Sequence, residues 1–385
     1  MDRIAVVGAS LGGLRTAESL RVEGFAGEIV LIGDEQHEPY DRPPLSKSYL
    51  TGDGHLTSVL LPHTFDGTML LGSAAVGLDT RQKLLTLEDG TTQTYDGLVI
   101  ATGTEPFVPP GIDTALGGVH LLRTAAEASA LRADLHDEPH HVVVLGAGFI
   151  GGEIASTCHD LGIPVTLVDM APLPLARPLG HEVATILLER HQVAGTRFRL
   201  GVSAQRLTHD DSLQVSGVDL TDGTHLPADL VIVAVGVRPS TSWLDGSGVA
   251  VDNGVLCDAD LSSVSTPGVV AVGDVARWTH PLFGDSVRVE HWMNAVESAS
   301  AAARTLMGRG EPYAAIPSFW SDQLGHKIQG IGIPSCADEV EVDLTDGVLA
   351  TYRRAGRVVG AVVFEKPRRL LAVRRDLAAQ AEALT

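Results

Sequence analysis

"HVVVLGAGFIGGEIASTCHDLGIPVTLVDMAP", residues 141 to 172, decides the fold, because it reads as a strand, a glycine turn, a helix and a second strand in immediate succession. The run "VVVL" is short and continuously apolar, as expected of a strand covered on both faces in a parallel sheet. The turn Gly146-x-Gly148-x-x-Gly151 opens the helix, Glu153 follows two residues later, and Asp169 closes the second strand. Backbone N–H groups at such a helix start reach a pyrophosphate only where no Cβ intervenes, which is what the glycines supply. An acid at the strand end suits an unphosphorylated ribose and repels a 2′-phosphate, so NADH is expected over NADPH. Met170, where an NADP site places an arginine, points the same way.

Working outward, the same design stands at the N-terminus. In "RIAVVGASLGGLRTAESLRVEGFAGEIVLIGDE", residues 3 to 35, the apolar run Ile4 to Val7 leads into Gly8-x-Ser10-x-x-Gly13. Leu14, Ala17 and Leu20 then recur at helical spacing, and the next strand ends at Asp34 and Glu35. Serine stands at the usual middle glycine. Two cradles of this kind call for two dinucleotides.

Three further stretches read as strands whose ends lie on the ligand side of a doubly wound sheet. Residues 95 to 110 lead into Thr102-Gly103, residues 226 to 240 carry Gly236 and Arg238, and residues 266 to 277 end in Gly273-Asp274 and run on towards a helix. The fold class is therefore α/β: two Rossmann-like dinucleotide-binding domains plus a small α+β C-terminal domain. The expected division is 1–112 with 241–310 for the first domain, 113–240 for the second and 311–385 for the third. The last rests on the short strands of "VLATYRRAGRVVGAVVFE", residues 348 to 365, and a terminal helix pattern.

Composition narrows the function. At 385 residues the chain suits two or three domains, and a hydrophobic fraction of 44% with 20% charged residues is that of a globular protein. A net charge of −20 argues against nucleic acid as a partner. No apolar run approaches the length of a membrane span, and the chain enters a strand pattern at once, so the cytoplasm is the expected location. Cys158, Cys257 and Cys336 are far apart and form no CxxC pair, as expected of structural thiols in a reducing compartment. "HDEPHH", residues 136 to 141, reads as a polar loop, and "GHEVATILLERH", residues 180 to 191, as an amphipathic helix, so no metal site is expected.

Taken in order, "VVGASLGG", "PYDRPPLSK", "LVIATGTEP", "GAGFIGGEIA", "VGVRP", "AVGDVAR", "RVEHWMNA" and "FWSDQ" form a set with a specific likeness. The chain resembles the two-dinucleotide-binding-domain flavoprotein reductases of glutathione-reductase-like fold. Among them it is similar to the FAD-dependent NADH:ferredoxin reductases that serve Rieske-type dioxygenases and cytochrome P450 monooxygenases. The resemblance implies that Gly8, Ser10, Gly12 and Gly13 carry the FAD pyrophosphate, with Asp34 or Glu35 at the adenosine ribose. It places Arg42 and Lys47 at the pyrophosphate and isoalloxazine, Val76 by the adenine, Arg123 beside the flavin, Asp274 on the ribityl chain and Trp292 at the ring. Gly146, Gly148, Gly151, Glu153 and Asp169 would hold NADH, helped by Gly236 and Glu290. Ala101, Thr102, Gly103, Ile150, Gly273 and His291 complete the implied cofactor set, and Trp320 would pack near the exposed flavin edge.

The likeness makes sense of "EPYDRPPLSKSYL", residues 38 to 50. In disulfide reductases of this fold the corresponding segment begins a helix that carries a redox cysteine; here it reads Asp41-Arg42-Pro43-Pro44-Leu45-Ser46-Lys47, without one. Proline suits the first turn of a helix, so the turn is expected to hold Lys47 beside the flavin N5. Hydride would pass from NADH C4 to FAD N5, with Lys47 pairing with Glu153, and single electrons would then leave for a 2Fe-2S ferredoxin. "KPRRLLAVRRDLAAQ" gathers Lys366, Arg368, Arg369, Arg374 and Arg375, which read either as a solvated helix or as a docking patch for an acidic ferredoxin. The competing readings are a quinone-like small-molecule acceptor and a flavin-dependent redox sensor.

Overall fold

The structure, a computed structural model, describes residues 1–382. The first fingerprint strand, Arg3–Val7, lies at the centre of a five-stranded parallel sheet. Its order is Val269–Ala271, Gly97–Ile100, Arg3–Val7, Glu28–Ile32 and Thr68–Leu70. Ile4, Ala5 and Val6 are fully buried, the burial on both faces that an unbroken apolar run implies. The second fingerprint strand, Val142–Leu145, is likewise central, in the order Arg197–Leu200, Val165–Asp169, Val142–Leu145, Leu230–Val233 and Val119–His120, again all parallel. The strand that supplies each glycine turn is thus flanked by the strands whose ends complete its cradle.

The chain crosses between the two sheets twice, and the crossings pair antiparallel as Thr104–Pro106 against Val237–Pro239, joined by Arg238 to Glu105 at 2.7 Å. Ile112 packs in the core of the second sheet. One expectation is corrected beyond Gly273. The segment does not run into a helix but through a 3-10 turn, Gly273–Val275, into the strand Ala276–Thr279. Alternation decides it: Ala276 and Trp278 are buried while Arg277 and Thr279 face outwards, the period of a strand. The helix follows only at Trp292–Leu306.

The third unit is a five-stranded antiparallel sheet in the order Ser318–Gln323, His326–Gly332, Arg357–Phe364, Val348–Arg354, Glu339–Asp343. The terminal helix, Leu370–Glu382, buries Val373 and Leu377 against it. Among the described residues no helix is long and apolar enough to cross a membrane.

Candidate functional site

A single cavity of about 1460 Å³ connects the two glycine turns. That exceeds the roughly 300–1,000 Å³ usual for one small ligand and leaves room for two. Both cradles are built by the same contacts. Gly8 has φ +115° and a Cβ there would lie 2.2 Å from the Ala101 carbonyl oxygen; Gly146 has φ +100° and would meet the Ala234 oxygen at 2.3 Å. In each half the first glycine therefore lets the turn lie against the end of the neighbouring strand. A Cβ on Gly13 would sit 1.9 Å from the Gly8 oxygen, and one on Gly151 2.1 Å from the Gly146 oxygen, so the last glycine lets helix and turn touch. The middle position differs, because nothing lies within 4 Å of a Cβ on Gly148, which borders open cavity. Backbone exposed in that way is what a pyrophosphate needs. At the equivalent place in the first half, Ser10 Oγ accepts from Arg42 Nε at 3.4 Å.

The strand-end acids divide their work. Asp169 accepts from Ala147 N at 2.7 Å and Ala171 N at 2.8 Å, so it brackets the second glycine turn while lining the cavity. In the first half, Glu35 is bound by Arg42 at 2.7 Å and accepts from the Tyr40 hydroxyl at 2.5 Å, leaving Asp34 as the exposed acid on the cavity wall.

The proline-rich loop is pinned across both sheets. Tyr40, Leu45 and Tyr49 pack with Ala125 and Ala128, and Leu50 joins the core of the second sheet. Pro43–Ser46 forms a 3-10 turn, which brings Lys47 Nζ to 3.0 Å from the Pro43 oxygen and 2.7 Å from Glu153 Oε2. Glu153 is only 4% exposed, and its carboxylate also accepts from Ser46 Oγ at 2.6 Å and Ser321 Oγ at 2.7 Å. The expected Lys47–Glu153 pair is present, and it sits on the cavity wall. Ser46, Ser321 and Gly152 were missed in the sequence. Gly152 had a legible signal, a glycine one place beyond the fingerprint that the cradle does not need.

On the wall of the same cavity, Arg123 Nη2 lies 3.3 Å from Asp274 Oδ2. Trp292 donates its indole N–H to Asp41 Oδ1 at 2.7 Å, which gives the acid of the "DRPP" run a role that the sequence did not disclose. The Trp292 and Trp320 rings meet edge to face at 6.1 Å on the cavity wall. Glu290 lines the same cavity and pairs with Arg288 at 2.6 Å, on the segment that follows the strand Ser286–Arg288. Burial raises its carboxyl pKa, offset in part by Arg288.

Nearly every other implied residue lines the cavity, including Gly12, Ala101, Thr102, Gly103, Ile150, Gly236 and Gly273. Gly13, Gly146 and Gly151 stand behind the wall as packing glycines. Val76 is 52% exposed and stands just off the cavity wall, which Ala74 and Ala75 line. On the strand Ala75–Asp79 a slip of one residue turns the side chain to the other face. Cys158 and Cys257 are buried away from the cavity, and burial pushes both thiols up to about 12. Cys336 does line the cavity, but singly; burial and the Asp285 carboxylate raise its pKa. No thiol pair stands between the two cradles.

The residues fit a flavin dinucleotide. His291 Nδ1 is buried without a hydrogen-bond partner, on the ring that packs 5.3 Å from Phe319 at the cavity wall, so a polar edge of a bound group would satisfy it. Burial lowers the His291 pKa to about 4, and it also lowers those of His191 and His280. These groups take up protons more readily when unfolded. Stability should therefore fall as pH drops from the ordinary histidine range near 6.5 towards 4, and be flat above it. Thermal melts of the protein between pH 8 and about 4.5 test this, and His291→Asn should flatten the slope.

A family model described as pyridine nucleotide-disulphide oxidoreductase matches residues 2–299, and one described as reductase C-terminal matches residues 318–384. The chain belongs to the pyridine nucleotide-disulphide oxidoreductase family, whose cofactors are FAD and NAD(H). It is similar to the rhodocoxin reductase of Rhodococcus erythropolis, at 35% identity over 98% of this chain and 90% of that one. It is similar also to the p-cumate 2,3-dioxygenase system ferredoxin–NAD(+) reductase component of Pseudomonas putida, at 34% identity over 97% and 93%. Among solved structures, the covalent putidaredoxin reductase–putidaredoxin complex matches with a TM-score of 0.93 and 31% identity, over 98% of this chain and 93% of that chain.

Proposed function

We propose that this chain is a cytoplasmic NADH:ferredoxin oxidoreductase, holding FAD in the first cradle and NADH in the second, and passing electrons to a 2Fe-2S ferredoxin that feeds a cytochrome P450 or a Rieske-type dioxygenase. One observation carries the reading: the two cradles open into one cavity with a lysine–glutamate pair, and no pair of thiols, between them. A thiol relay is what disulfide substrates require. FAD, when bound, accepts a hydride as two electrons and releases them singly. The chain's own groups orient the partners and manage charge. Arg42 and Ser10 face the first pyrophosphate position, Gly148 leaves the second open, and the Lys47 ammonium, anchored on Glu153, favours negative charge arriving at the acceptor ring. Asp41 fixes Trp292, and Trp292 supports Trp320 at the edge where electrons leave.

The function is tested by NADH-driven reduction of cytochrome c with and without added 2Fe-2S ferredoxin. The expected result is a rate that depends on ferredoxin and is much lower with NADPH; a rate indifferent to every ferredoxin moves the function to a small-molecule acceptor. The five-cation patch is thinner than its sequence suggests. Lys366 is held by Asp346 at 2.9 Å and Arg369 by Asp343, which leaves Arg368, Arg374 and Arg375 exposed. Charge reversal at Arg374 and Arg375 should raise the KM for ferredoxin about threefold to tenfold, with the effect shrinking at high salt. An unchanged KM at low salt removes the patch from the docking surface.

A further inference from the structure

Glu153 is the end point of a buried hydrogen-bond chain that starts far from the cavity. Ser321 Oγ meets Glu153 Oε1 at 2.7 Å, Gln323 Nε2 donates to Ser321 Oγ at 3.0 Å, and His191 Nε2 meets Gln323 Oε1 at 2.9 Å. The Thr196 hydroxyl then meets His191 Nδ1 at 3.3 Å. All five residues are buried. The direction of the chain follows from the amide. Its NH2 is given to Ser321, so its carbonyl accepts from the imidazole N–H, and the serine, having accepted, donates to the carboxylate. Every donor points towards Glu153, each link polarising the next.

Two features mark this as a built arrangement. Ser321 and Gln323 alternate along the strand Ser318–Gln323, so both face inwards, while Trp320, the residue before Ser321, turns the other way to the cavity wall. A Cβ on Gly152 would lie 2.6 Å from Gln323 Oε1, so the helix Phe149–Asp160 carries a second glycine where the amide rests on it. The same helix receives the Leu324 N–H on Ser156 Oγ at 2.9 Å and donates Thr157 Oγ1 to the Ser46 oxygen at 2.9 Å. One helix face thus binds the loop that carries Lys47 and the strand that carries Trp320.

We propose that Ser321 and Gln323, backed by His191, are positioning residues for the Lys47–Glu153 pair, so that the C-terminal sheet serves flavin reduction by NADH as well as the electron exit. They hold one carboxylate oxygen in place while the other takes the ammonium, which fixes where the positive charge stands against the cavity. The proposal rests on the assignment of Lys47 and Glu153 to the hydride step, and the test separates the two.

In the full-length FAD-loaded protein, Ser321→Ala should lower the limiting rate of flavin reduction about tenfold, with the apparent Kd for NADH changed less than about twofold. Ser321→Thr, which keeps the hydroxyl, should restore the rate to within about twofold of the parent. In the resting oxidised protein, without NADH, the Glu153 carboxylate stretch is assigned by infrared difference against Glu153→Gln. That band should shift in Ser321→Ala and return in Ser321→Thr. If Ser321→Ala does not fold, Gln323→Met, which keeps the packing and removes the amide, should shift the band and the rate in the same direction. An unmoved band and parental rate in Ser321→Ala, with Lys47→Met still slow, overturns this inference alone. A parental rate in Lys47→Met overturns the assignment of the pair as well.

Discussion

Substitution of Lys47 by methionine is expected to slow flavin reduction by NADH about tenfold to a hundredfold while FAD stays bound. Methionine keeps most of the length and apolar stem but removes the charge, so the cavity wall is preserved and the ammonium is lost. Hydride delivery brings negative charge to the acceptor ring, and a fixed cation in a partly dehydrated site favours it more than water would. Glu153 would be left as a carboxylate 4% exposed, with Ser46 and Ser321 as its remaining donors. Removing one partner of a buried pair costs about 3 to 5 kcal/mol when nothing compensates, and the two hydroxyls place this case at about 3. The variant should therefore be measurably less stable as well as slow. Stopped-flow absorbance at saturating NADH reads the rate, and a parental rate would reduce Lys47 to a structural tie.

The second large effect separates the two cradles. Gly13→Ala should give a protein that is isolated without its flavin. Gly151→Ala should keep the flavin and its visible spectrum but bind NADH about tenfold to a hundredfold more weakly. The cause is the same in both: an added Cβ would lie 1.9 Å from the Gly8 oxygen or 2.1 Å from the Gly146 oxygen, backbone atoms that yield only if the turn opens. Flavin absorbance per protein and NADH titration read the two outcomes. If Gly13→Ala kept its flavin and lost NADH instead, the assignment of the halves would be reversed.

These contrasts explain what the sequence made legible. The two cradles were readable because their causes are local: an apolar run, a glycine wherever backbone must touch backbone, and an acid at the next strand end. The Lys47–Glu153 pair came from the family likeness, and the geometry supplies its reason. What escaped was set by partners distant in the chain. Ser46 lies 107 positions from Glu153, Ser321 lies 168 from it, and Asp41 lies 251 from Trp292, so no spacing could disclose them. The remaining differences have the same origin. Val76 stands one residue past Ala75 on a strand, where one residue is a change of face. The helix expected after Asp274 ignored the alternation of Ala276 and Trp278. Lys366 and Arg369 looked free until the neighbouring acids Asp346 and Asp343 were brought beside them by the antiparallel sheet.

The most direct test of the central claim is anaerobic and takes one turnover. The protein is reduced with one equivalent of NADH and mixed rapidly with oxidised 2Fe-2S ferredoxin while the flavin and iron–sulfur absorbances are followed. Rapid return of the oxidised flavin spectrum, with two ferredoxins reduced per flavin, is the predicted result. A flavin that stays reduced with ferredoxin but is promptly reoxidised by a quinone would contradict it.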